Sequence, residues 1–252
     1  MDDREERSCL SIASGVVCPE ERVSKPAAHQ GTVSVSKGPQ SRRRLMSCTP
    51  ACPICLRLRE AALAVLGDGS AAGLSHGALE REAGLMQGEA AEHYASAAAC
   101  LHATYEEVCD RLAGELLDAF SAGMSWESAL SLARRRLLAR LAANPGEARL
   151  CFVETLGGDR ELRRRRERRR RWVVAFLACQ RLVSGESGRS SELQIELLIG
   201  ATFHEISAVV AAGDVADLPT LEPRLSELPG LFDPSAYRRS FAPRAQPAWS
   251  AR

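Results

Sequence analysis

Three cysteines stand close together near residue 50, Cys48, Cys52 and Cys55, in the order C-x3-C-x2-C. Thiolates at this spacing are the triad that holds an iron–sulfur cluster in radical enzymes, and with a fourth donor they would hold a structural metal. The cluster chemistry needs a β/α barrel around it, and no run of this chain alternates with the two-residue period of a strand. A fourth ligand would have to come from Cys18 or His29, both in a loosely patterned N-terminal stretch. Short cysteine spacings also match by accident, so the expectation is a free-thiol cluster, with no metal and no other cofactor.

The densest charge lies at Arg160 and Arg163 to Arg171, nine arginines against Asp159, Glu161 and Glu167. Such a run could grip nucleic acid. The spacing favours a solvated helix start in which Glu161 pairs with Arg165 and Glu167 with Arg171, one turn apart. Tyr105, Cys109, Trp126, Phe152, Trp172, Phe176, Phe203 and His204 are the aromatic or polarizable side chains available to line a cavity between helices, although helical spacing favours a packed core for each, since such stripes are how any bundle packs. No Ser-His-Asp order, paired carboxylates or glycine-rich phosphate loop stands out. An enzyme is not expected.

The elements that position these groups are helices throughout. With 252 residues, 45% of them apolar, and a net charge of +1, the composition is that of an ordinary globular chain. The number of cysteines is odd, nine, and Cys100, Cys109, Cys151 and Cys179 fall inside apolar helical patterns, where they read as small buried hydrophobes. The acidic N-terminus is not a signal peptide, and the apolar stretch from Leu197 to Ala212 is interrupted by His204 and Glu205. No membrane span is expected, and the default location is cytoplasmic.

Residues 1–44 lack sustained periodicity and read as a disordered arm, as does a flexible tail over 231–252. From Cys52 onward the pattern is helical. Pro53 suits a first turn, Ser75 can cap a second helix that ends at Gly84, and a third short helix runs to about Tyr94. Leu101, Tyr105, Val108, Leu112, Leu116 and Phe120 mark a long helix, and Ser125 caps the next, which Asn144-Pro145-Gly146 stops. Further helices are expected at about 147–156, 159–183, 191–212 and 217–228. The helix at 191–212 carries two apolar stripes. Leu193, Leu197, Ala201 and Ala208 form one, and Ile195, Ile199, Phe203, Ile206 and Val210 the other, so one stripe needs a second buried surface, most simply another copy of the chain.

Three short helices ahead of a longer bundle, with Ala83-Gly84-Leu85 at the turn, His93-Tyr94 at the end of the third helix and then A-C-L-H-A-T-Y-E-E-V, resemble the TetR family of transcriptional regulators over about residues 53–230. The resemblance implies an all-α chain, with a three-helix helix-turn-helix domain over 45–100 and a helical ligand-binding and dimerisation bundle over 101–230. It implies a homodimer that binds operator DNA and releases it when a small-molecule effector enters the bundle. Carried over residue by residue, it assigns Gln87 and Glu89 to base edges, with Gly88 at the start of the recognition helix. Ser75, His76, His93 and Tyr94 fall at the DNA backbone, and Arg42, Arg43 and Arg44 on an arm. The candidates to line that effector's pocket are Tyr105, Cys109, Trp126, Phe152, Phe176, Phe203 and His204.

Three positions depart from the family pattern: Met86 where Ser or Thr would cap the recognition helix, Ala91 in place of an aromatic, and Ala97 in place of a phosphate-binding lysine. Between Cys52 and Tyr105 there are three arginines against six acids, a poor supply of phosphate contacts. A second expectation therefore stands beside the first, a ligand-binding or scaffolding dimer of the same fold that has lost specific DNA binding.

Overall fold

The computed structural model describes residues 52–184 and 192–231, and every element among them is helical. The expected arm and tail, with Arg42, Arg43, Arg44 and Cys48, lie outside the described residues. The head comprises α1 (Pro53–Asp68), α2 (His76–Ala83) and the five-residue α3 (Glu89–His93). Pro53 opens α1, the Ser75 hydroxyl accepts from Ala78 N at 3.1 Å to cap α2, and Gly84 ends α2 at φ 61°, a left-handed conformation that favours glycine. Leu58, Ala61, Ala62, Leu79 and Ala90 form the head's buried core together with Cys100 of α4 (Ala97–Ser121).

The bundle is built from α4, α5 (Trp126–Ala143), α6 (Pro145–Arg149), a π-helical turn (Leu150–Glu154), α7 (Thr155–Gly157), α8 (Arg160–Val183), α9 (Glu192–Ala212), a 3-10 segment (Val215–Leu221) and α10 (Glu222–Leu231). Ser96 and Ser125 cap α4 and α5 through the backbone N–H of Ala99 and Ser128. Asn144 ends α5 as expected, and Pro145 at once begins α6 instead of a loop.

The aromatic residues pack on one another. Phe120 meets Trp126 at 5.3 Å and Phe176 edge-on at 5.5 Å, Trp172 stacks on Phe176, and Phe152 lies 4.9 Å from Phe203.

Helix α8 settles what the arginine run does in the folded chain. Arg165 pairs with Glu161 at 2.9 Å and Arg171 with Glu167 at 3.0 Å, the two same-helix pairs that the spacing predicts. Arg165 and Arg169 also reach across to Glu106 of α4, and Arg169 reaches Asp110. Burial pushes the Glu106 carboxyl up, but hydrogen bonds and charge from Arg169 and Arg165 outweigh it and hold the group below its ordinary range. Its contribution to stability is therefore present above the unfolded value of about 4.3 and lost as pH falls through the lower folded value. Urea midpoints measured from about pH 6 to about pH 3 should fall less steeply for Glu106→Gln than for the unaltered chain. Equal slopes would show that the pairs are screened by water.

Helix α9 divides its two stripes between inside and outside. Ile195, Leu198, Ile206 and Val210 are buried in the bundle, whereas Leu193 and Leu197 are 60% and 46% exposed. His204 and Glu205 do not shorten the helix: Leu193–Ala212, 20 residues, is by length and composition alone long and apolar enough to cross a membrane, contrary to expectation. Its inward stripe is occupied by the bundle core.

Candidate functional site

The turn between α2 and α3 is held by a carboxylate from the preceding helix. Glu80, 4% exposed, accepts from Gly88 N at 2.9 Å and Ala90 N at 3.0 Å, two backbone donors that a helix N-terminus leaves unpaired. Glu89 turns back to accept from Met86 N at 2.6 Å. These three bonds hold the turn, where Met86 offers no capping side chain. Arg57 of α1 donates to the carbonyls of Ala83 and Gly84, tying the turn to the first helix.

Most side chains assigned to DNA face inward or along their own backbone. The Glu89 carboxylate, expected at base edges, is bonded within its own turn. Tyr94, expected at a phosphate, points its hydroxyl at Arg59, which donates to it at 3.0 Å and also pairs with Glu107. Burial pushes the Tyr94 phenol up to about 12, against the opposing pull of Arg59. His93 faces Cys52 and Cys55 instead of solvent, with its Nδ1 3.7 and 3.4 Å from their sulfurs. Ser75 is spent as a helix cap, His76 is half-buried, and Gly88 supplies a turn at φ 97°. Met86, Gln87, Ala91 and Glu92 stay exposed along the recognition segment, and Arg81 on α2. The Ser75 cap and the Gly84 turn were legible in the sequence. Glu80 and the meeting of His93 with two thiols were not, because each needs helices that cross in space.

The open space within the bundle lies apart from the aromatic residues. A cavity of about 150 Å³ opens among α4, α5, α8 and α9, lined by Leu112, Leu116, Leu130, Leu137, Val173, Leu177, Leu198 and Ile199 with Glu115, Ala133, Arg134 and Thr202. None of the seven residues expected to hold an effector lines it. Tyr105, Cys109, Phe152 and Phe203 belong to one packed cluster and Trp126 and Phe176 to another, while His204 is exposed. The rings fill core volume because their planar faces find one another, leaving aliphatic side chains around the open space.

Arg134 is the exception to that apolar lining. It is 8% exposed, its Nε and Nη1 are buried without a hydrogen-bond partner, and its nearest carboxylate, Glu222, stands 3.7 Å away. A buried guanidinium left in this state favours an acceptor or anionic group arriving from the cavity.

No family model and no curated protein matches the chain. Solved structures do. The fatty acid degradation regulator FadR of Bacillus halodurans superposes with a TM-score of 0.65 at 16% identity, covering 72% of this chain and 97% of that one. The transcriptional regulator FadR of Bacillus subtilis, solved in complex with stearoyl-CoA, gives 0.61 at 17% identity, covering 69% and 96%. A TetR-like transcriptional regulator of Rhodococcus sp. RHA1 gives 0.53 at 18% identity, covering 78% and 100%. At such identities the shared property is architecture, and the chain has the fold of the TetR-type transcriptional regulators.

Proposed function

We propose that the chain is a ligand-responsive transcriptional regulator that binds operator DNA as a homodimer and works in the cytoplasm. The observation that carries this reading is the head. A recognition segment too short to stand alone is braced by Glu80, Glu89 and Arg57, while Met86, Gln87 and Ala91 stay exposed. Bracing of that kind preserves a surface for a groove. The outward stripe of Leu193, Leu197 and Ala208, with Ala201 at its edge and Leu182 and Val183 exposed on α8, supports pairing with a second copy.

The effector we infer has an apolar body and an acidic or acceptor head, matched to the aliphatic cavity and Arg134. The Bacillus subtilis regulator holds stearoyl-CoA, which has that character. A stearoyl chain would overfill about 150 Å³, so the occupant here is smaller or the helices part to admit it. Entry between α4, α5, α8 and α9 would bias the spacing of the two heads, as binding to one of two conformations must.

A specific observation favours a second reading, a ligand-binding or scaffolding dimer without specific DNA binding. Of the described head's three arginines, Arg57 is spent on the α2–α3 turn and Arg59 on Tyr94 and Glu107, whereas Arg81 is exposed at the end of α2. Capture of genomic fragments by the full purified chain, across low and moderate salt, decides between the two. The expected result is an enriched pseudo-palindrome, with Arg81→Ala making the salt dependence shallower by about one phosphate contact per head. No enriched sequence at any salt would favour the scaffold.

A further inference from the structure

We propose that Cys52, Cys55 and His93 form a mononuclear, tetrahedral site for a zinc-type divalent ion that ties the start of α1 to the end of α3. The three donor atoms lie within 4.8 Å of one another, and His93 Nδ1 sits 3.7 Å from Cys52 Sγ and 3.4 Å from Cys55 Sγ. Zinc binds sulfur at about 2.3 Å and imidazole nitrogen at about 2.0–2.1 Å, so a tetrahedral shell requires sulfur–nitrogen edges of about 3.6 Å. The two observed edges bracket that value. One nitrogen has a single lone pair or a single hydrogen to offer, so thiol–imidazole hydrogen bonding accounts well for one sulfur and poorly for two. A common centre accounts for both.

The helix start fits this chemistry independently. Cys52 occupies the N-cap of the 16-residue α1 in an extended conformation and its side chain makes no capping bond, and Cys55 follows one turn later. Backbone N–H groups and the positive end of the helix dipole favour the thiolate forms that a metal needs. Sulfur–nitrogen edges of this length belong to one ion. Among the described residues the group has three members. The fourth position falls to a water.

The consequence is mechanical and does not depend on whether the head reads DNA. Helix α3 spans five residues, fewer than a helix needs to persist by itself. Glu80 fixes its beginning, and the ion fixes its end against α1. Loss of the ion or oxidation of the thiols would release that second anchor.

The test is titration of the full-length chain, purified reduced and without oxygen, with cobalt(II) as the optical probe and then zinc(II). The expected result is one cobalt per chain, with the intense bands of a tetrahedral ion and sulfur-to-metal charge transfer, displaced by one equivalent of zinc. Cys55→Ser and His93→Ala should each weaken binding by more than about 100-fold, beyond the 10–100-fold lost with a group that merely orients a ligand. Since Cys55 is buried and His93 only half-buried, His93→Ala with unchanged helical circular dichroism keeps the test decisive if Cys55→Ser folds poorly. No cobalt uptake by the reduced protein would overturn the proposal. So would tetrahedral colour that survives His93→Ala, or iron recovered together with inorganic sulfide.

Discussion

Glu147→Ala should destabilise the chain by about 3 kcal/mol, lowering the urea midpoint without changing the slope and the melting temperature by roughly 6–12 °C. Glu147 is 3% exposed, and its carboxylate accepts from Arg140 Nε at 2.8 Å, Arg140 Nη2 at 3.0 Å and Arg111 Nη2 at 2.9 Å. Arg140 in turn donates to Glu115 at 2.8 Å, so one carboxylate of α6 gathers α4 and α5 around it.

Removing one partner of a buried pair typically costs about 3–5 kcal/mol, because the charge left behind has lost its compensation. Here the lower end applies. The Arg111 side chain is 40% exposed and can turn to water, whereas that of Arg140, at 24%, can do so only in part. A double variant, Glu147→Leu with Arg140→Met, removes both sides of the main pair and should recover most of the loss, since apolar groups of similar volume replace such pairs at little cost. A loss below about 1 kcal/mol in the single variant would mean that water already screens the network as it does a surface pair.

The helices and the same-helix pairs of α8 were legible because both depend on spacing alone. Apolar residues at three and four, Ser75 and Ser125 at helix starts, and Glu161 four residues before Arg165 follow from local geometry. What lay beyond the sequence was contact at long separation. Glu106 meets Arg169 across 63 positions, and Cys55 meets His93 across 38. No periodicity announces such meetings.

The same limit explains why the aromatic residues do not line the cavity. Aromatic content identifies side chains large enough to line a cavity, but ring–ring packing decides that they close it, and the open space falls where leucines and valines meet Arg134. In α9 the two stripes were legible as stripes. Which of them faces inward follows from the bundle, where Ile195, Ile206 and Val210 are buried.

Gly146→Ala is expected to cost at least about 3 kcal/mol, at or beyond the upper end of ordinary overpacking. Gly146 sits in the first turn of α6 against the backbone of α1. A Cβ there would fall inside the contact radius of the Leu63 carbonyl oxygen, 2.7 Å from the carbonyl carbon and 3.0 Å from Cα. Side chains can rotate away from an added methyl, but a helix backbone cannot, so either α1 shifts as a body or α6 does. Two controls isolate the cause. Trimming Leu63 to Ala should not rescue the variant, because the clash is with main-chain atoms. Gly114→Ala, within α4 where nothing lies within 4 Å of the added carbon, should instead stabilise by about 0.5–1 kcal/mol. Helix α1 also carries Cys52, Cys55 and the Arg57 that holds the recognition turn, so displacing it reaches the head. In the regulator reading, Gly146→Ala should therefore weaken operator binding even below its unfolding temperature, measured as the dissociation constant at low temperature, while unchanged affinity in a destabilised variant would show that the head moves independently of α6.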